Sequence, residues 1–196
     1  FVFGHTEYDF STRRIGFEIF RFEGNQAVEH WDNIQPRMGP NASGHSMVDG
    51  PTEACDLNLT ETNRALVRSF VSSVYVGGHV HEMEQYIDVN NFVNHSPALT
   101  DGIEPLSEML RAVSDSGDSV MQYKTVHHVL AEGNFVLVVV EGTRDGIDTS
   151  FFDLYRLAGG KIVEHWDTVE AVPPKSTWKN ENGKFAGLMQ VGAQGA

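Results

Sequence analysis

Cysteine is almost missing from this chain: of 196 residues, Cys55 is the single one. One thiol can close no internal disulfide and build no thiolate metal cage. Positive charge is also scarce. Lys and Arg number 14 against 27 Asp and Glu, a formal charge of −13. Nucleic acids and anionic membrane surfaces select clustered positive charge, so neither is expected as a partner. No apolar run approaches the roughly 20 residues needed to span a bilayer. The nine histidines are scattered, and His79 with His81 cannot complete a coordination shell, so no metal site is predicted. No signal peptide is visible and a cytoplasmic location is expected, although Phe1 is not an initiator methionine and leaves the start of the chain open.

What the chain does contain is the same segment twice. Val28-Glu29-His30-Trp31-Asp32 recurs as Val163-Glu164-His165-Trp166-Asp167. The match runs without a gap back to Phe17 and Phe152, and half of its positions are identical. Trp and His are rare, so chance explains this poorly. Both segments read as strand–turn–strand. The first stands near the chain start, and the second follows a long stretch with helices of its own. The expectation is one complete domain preceded by the end of another.

Alternating apolar residues predict strands over residues 1–34, with a turn at Glu23-Gly24-Asn25. Pro36, Gly39, Pro40, Gly44, Gly50 and Pro51 then break any regular element, which predicts a linker or extended arm. Thr60 is placed to cap a helix, with Asn63 as a weak capping-box partner. Leu66, Val67, Phe70, Val71 and Val74 mark that helix's buried face. A short helix over 79–87 and a third over 102–113 follow, then four strands at 119–130, 134–142, 149–157 and 161–171. Three helices and then a meander predict an α+β fold, a curved antiparallel sheet wrapped around helices. Such a sheet encloses a hollow.

The last hairpin can be read in detail. Ala158-Gly159-Gly160-Lys161 suits a three-residue loop with a G1 bulge, Gly160 being left-handed. Leu157 then opposes Lys161, Asp153 opposes His165 and Phe151 opposes Asp167. Asp153, Tyr155, His165 and Asp167 share one face; Leu154, Arg156, Glu164 and Trp166 share the other, with Arg156 and Glu164 diagonal. Two acids and a histidine in a desolvated hollow are the ingredients of acid/base chemistry. On a solvated face they would be ordinary, and the hairpin alone leaves both readings open.

Phe92-Val93-Asn94-His95-Ser96-Pro97 with Asp101-Gly102, Glu132-Gly133-Asn134-Phe135-Val136, Phe152-Asp153-Leu154-Tyr155-Arg156 and Gly160-Lys161-Ile162-Val163-Glu164-His165-Trp166-Asp167 together resemble the SnoaL-like proteins of the NTF2/ketosteroid-isomerase superfamily. Lys179 to Phe185, and in the first segment Asn41 to Met47, are similar to the tails of that group. The resemblance implies a cone-shaped sheet around three helices, preceded by extra strands from a partial second copy. It divides the chain into an incomplete domain with its arm (1–50), a linker (51–59), a complete domain (60–172) and a C-terminal arm (173–196).

Members of this group include polyketide cyclases that run an intramolecular aldol condensation on a carboxylate acid/base, without a cofactor. By position the resemblance makes Asp167 that acid, with Asp153 and His95 as pocket partners. Tyr155, His165, Phe151 and Tyr123 would contact the substrate, a small apolar or carbonyl-containing compound. One place where the family often carries histidine is Val139 here and His5 in the first segment, which suggests that the complete domain lacks a polar pocket residue. Non-catalytic binding or assembly is therefore the second expectation. Unpaired N-terminal strands should dock on the complete domain's sheet, in the same chain or in a homodimer with exchanged arms.

Overall fold

Two hairpins built by one rule organise the molecule. In a computed structural model describing residues 1–113 and 117–187, β7 (Ile147–Ala158) and β8 (Lys161–Ala171) join through a two-residue Gly159-Gly160 turn. Both glycines have positive φ, 57° and 76°, as a tight hairpin turn requires. The predicted three-residue loop is therefore corrected: Ala158, not Leu157, opposes Lys161. One bulge follows, where Leu157 pairs Ile162 and Arg156 pairs Glu164, leaving Val163 extra. The shorter loop and the bulge cancel in parity. The predicted faces survive, while the opposed pairs move: Asp153 faces Asp167, Tyr155 faces His165 and Arg156 faces Glu164. The first hairpin, β2 (Arg13–Glu23) and β3 (Gln26–Pro36), repeats this, with its bulge at Arg21/Phe22 and Gly24 supplying the positive φ.

β1 (Val2–Asp9) completes a three-stranded sheet in the order β1-β2-β3. The main sheet has five strands in the order β4-β8-β7-β6-β5, with β4 at Val93–Asn94, β5 at Met121–Glu132 and β6 at Phe135–Arg144. It is antiparallel except for β4, which runs parallel to β8 with Asn94 beside His165. Register shifts at Tyr123/Thr125 and Val126/His128 insert extra residues into β5, and bulges of this kind bend a sheet.

The concave face holds the helices. α1 (Thr60–Phe70) presents Val67 and Phe70, then widens into a π-helical turn over Val71–Val76 that buries Val71, Val74 and Tyr75. The Gly77 N–H to Ser72 carbonyl bond, 2.9 Å, marks the wider turn. A 3₁₀ turn leads into α2 (Met83–Tyr86), and α3 is Ile103–Arg111. These elements and the concave face share one apolar core that includes Phe70, Leu106, Val138, Phe151 and Tyr155. Thr60 does not cap α1: its hydroxyl donates to the Leu57 carbonyl and accepts from the Gly133 N–H, while Asn63 Nδ2 donates to the Gly133 carbonyl. Both residues therefore tie the helix to the β5–β6 turn.

The convex face is covered by the N-terminal sheet of the same chain. Phe17, Ile19 and Trp31 pack on Phe135, Leu137, Val139, Phe152, Leu154 and Trp166. Each such side chain contributes about 1.5–3 kcal/mol when buried. Polar bonds fix the match. Ile34 N–H donates to Glu170 (3.2 Å) and Val169 N–H donates to Gln35 (2.8 Å).

The stretch expected as a linker or extended arm clasps the main sheet. Asn41 is buried and donates to the Asn94 carbonyl (2.6 Å), and Met47 is buried as well. At the other end Phe185 stacks on His127, and Trp31 Nε1 donates to the Ala186 carbonyl (2.8 Å). Residues 188–196 of the predicted C-terminal arm lie outside the described residues. Among the described residues no helix is long and apolar enough to cross a membrane.

Candidate functional site

Strand alternation sends Asp153, Tyr155, His165 and Asp167 to the concave side. Asp153 and Asp167 are directly opposed. His165 Nε2 donates to Asp153 Oδ1 (2.9 Å), and both side chains are almost fully buried. The His165 ring stacks on Tyr155, and its Nδ1 lies 3.4 Å from Asn94 Oδ1. Ser96 donates its hydroxyl to Asp167 Oδ2 (3.0 Å). Tyr123 packs between Tyr75 and Phe151, with ring centroids 4.6 and 4.4 Å away.

Several polar atoms in this interior are unmatched. Among the described residues, Asp153 Oδ2 is buried without a hydrogen-bond partner, and the buried hydroxyls of Tyr75 and Tyr155 have none beyond one another. Such groups are costly unless a guest satisfies them. Burial, and then the charge of Asp153, raise Tyr75, Tyr123 and Tyr155 well above the ordinary tyrosine pKa. All three remain protonated donors at neutral pH. Asp167 is only partly buried by surface area, yet the protein around it desolvates the carboxyl and raises its pKa; Asp153 adds to the rise, while His165 and the Ser96 bond oppose it.

The sequence profile of the SnoaL-like domain family matches residues 67–165, half of the chain, spanning the helices and most of the five-stranded sheet. This chain belongs to the SnoaL-like domain family. A search of curated proteins finds no match. Among solved structures, this chain is similar to a Kribbella flavida protein provisionally assigned as a ketosteroid isomerase, at 18% identity and a TM-score of 0.51, covering 65% of this chain and 96% of that one. It also resembles an NTF2-like protein of unknown function from Cytophaga hutchinsonii, at 20% identity and a TM-score of 0.45, covering 62% and 95%. A third is a provisionally assigned polyketide cyclase from Acidithiobacillus ferrooxidans, at 15% identity and a TM-score of 0.43, covering 55% and 87%. At these identities the likeness is one of fold.

Six of the seven residues singled out from the sequence lie on the concave side of the main sheet: Asp153, Asp167, Tyr155, His165, Phe151 and Tyr123. His95 does not join them. The chain alternates through and just past β4, so Asn94 and Ser96 face the concave side and His95 faces away. It stacks on Trp166 and bonds the Ser46 carbonyl (2.8 Å), Asp49 (2.7 Å) and Glu164 (2.8 Å). Burial disfavours its charge, but the bonds to Glu164 and Ser46 outweigh that and raise its pKa. Val139 is a second correction. It lies in the convex-face cluster with Phe17, so it vacates no place in the concave site, and His5 faces the convex side too, stacked on Phe17.

Sequence reasoning missed Asn94, Ser96 and Tyr75. The first two follow from alternation once β4 is known to pair with β8; Tyr75 depends on the π-helical turn, which apolar spacing does not show. A cluster missed by spacing is His45, Asp49 and His95, whose donor atoms lie within 4.8 Å of one another. Both His95 nitrogens are already bonded there to protein, so a cation would have to displace those bonds.

Proposed function

We propose that the concave face binds a small carbonyl compound and that Asp167 acts on it as a general acid/base without a cofactor, in an aldol-type cyclisation or isomerisation. The observation that carries this is the opposed pair of Asp153 and Asp167, with Asp153 Oδ2 buried and unpartnered near the Tyr75 and Tyr155 hydroxyls. A carboxyl whose pKa is raised can hold and release a proton nearer neutral pH than a solvated one. Asp153, held by His165, orients the bound group. The Tyr75 and Tyr155 hydroxyls donate to the carbonyl oxygen as negative charge develops on it.

Enolisation is the step common to these reactions, so it can be tested without the natural substrate. The assay is exchange of α-protons of simple cyclic ketones in heavy water, followed by NMR. The protein should accelerate exchange, and Asp167→Asn should lower the rate by about 10²-fold or more. Equal rates for wild type and variant would remove Asp167 from the mechanism. No acceleration by the wild type would favour the alternative, a non-catalytic small-molecule-binding or assembly module of the same fold.

We also infer that residues 1–50 are the second half of a first SnoaL-like domain. The support is reciprocal contact. Trp166 Nε1 donates to the Asp49 carbonyl as Trp31 Nε1 donates to Ala186, and the Arg156–Glu164 pair is matched by Arg21–Glu29. The His165–Asp153 contact has its counterpart in His30–Glu18.

A further inference from the structure

The arm is pinned at two points with an arch between them. At one end Trp166 Nε1 donates to the Asp49 carbonyl (2.9 Å). At the other, Cys55 N–H donates to Asn134 Oδ1 (2.9 Å) and Asn134 N–H donates to the Cys55 carbonyl (2.8 Å). Residues 50–54 therefore span from β8 to the β5–β6 turn. Beneath them, β1 brings Phe3 and His5 over the convex face, where Phe135, Leu154 and Trp166 form a floor. The partly open hollow between them has a volume of about 260 Å³. Leu154 and Trp166 alternate with Asp153 and Asp167, so this hollow lies across the sheet from the concave site.

Its chemistry differs from that site. Three of its walls are aromatic: Phe3, Phe135 and Trp166. Asp49 and Glu132 supply carboxylates, which repel anions. His5 is the remaining titratable group; burial, and then the charge of His95, hold its pKa down to about 4, so it is neutral at physiological pH. Its Nε2 is buried without a partner. A neutral imidazole nitrogen is either a donor or an acceptor, and a hydroxyl can satisfy both.

We propose that this hollow is a second ligand site, for a small uncharged aromatic molecule bearing a hydroxyl, with the ring among Phe3, Phe135 and Trp166 and the hydroxyl on His5. The arch makes it a site that neither sheet could form alone.

The test uses phenol as probe, with toluene and benzoate as comparisons, read by NMR on the full chain at the Trp166 indole N–H and the His5 amide. Shifts at His165 report the concave site separately. Phenol should give saturable shifts at Trp166 and His5 below about 10 mM, toluene should bind about tenfold more weakly, and benzoate should not bind. His5→Phe should bring phenol to the level of toluene. Ala54→Trp, at an exposed position on the arch, should block both, and it decides the matter if His5→Phe fails to fold. The proposal is overturned if phenol leaves Trp166 and His5 unshifted, if the three probes bind alike, or if Ala54→Trp leaves phenol binding unchanged.

Discussion

Asn33 and Thr168 bond to each other across the two sheets, 135 positions apart in the chain. Asn33 Nδ2 donates to the Thr168 carbonyl (2.9 Å) and hydroxyl (3.0 Å), and both residues are fully buried. The same spacing separates Val28–Asp32 from Val163–Asp167. A residue that meets its own counterpart lies near an axis of approximate twofold symmetry. The reciprocal bonds of Ile34 to Glu170 and Val169 to Gln35 fall on either side of it.

Asn33→Ala should therefore loosen the junction of the sheets. It leaves buried acceptors unpaired and opens a small void, at a cost of about 1–3 kcal/mol. Urea unfolding measures this. A midpoint unchanged from wild type would show that the apolar contacts alone hold the sheets together.

Deleting residues 1–36 would bare Phe135, Leu137, Phe152, Leu154 and Trp166 together on the convex face. A patch of that kind drives association. The shortened chain should dimerise or aggregate in light scattering, while the full chain should not associate through this face. A shortened chain that stays monomeric would contradict the account of the convex face.

The fold was legible because hydrophobic alternation marked the strands and helical spacing marked the buried side of α1. The sheet faces were legible for a less secure reason: the two-residue loop and the Val163 bulge each invert parity and together restore it. The clasp was hidden, because its contacts rest on isolated residues such as Asn41 and Met47 rather than on a period. His95 lies outside the concave site because its neighbours Asn94, at the end of β4, and Ser96, just beyond it, face that site and the histidine itself does not.

The clasp should depend on pH. His95 has a folded pKa above its ordinary 6.5, so its contribution is complete below 6.5 and is lost as pH rises through the folded value. Burial alone would raise Asp49 and Glu164, but hydrogen bonds hold both below their ordinary 3.8 and 4.5: from Ser46 and His95 for Asp49, and from His95 and Arg156 for Glu164. Their contributions are complete above those values and fade as pH falls through the folded ones. The ion pairs should thus be strongest between about 4.5 and 6.5. His95→Gln should cost about 1–3 kcal/mol near pH 6 and clearly less near pH 9, by urea unfolding at both pH values. A cost that is the same at the two would refute the charged clasp.

The central claim is that the concave face holds a desolvated acid pair, and the titration of the Asp167 carboxyl carbon by NMR tests it most directly. Asp167 should titrate above its ordinary 3.8, and Asp153→Asn should bring that value down by removing a like charge. An Asp167 that titrates at or below 3.8, and does not respond to Asp153→Asn, would contradict the account.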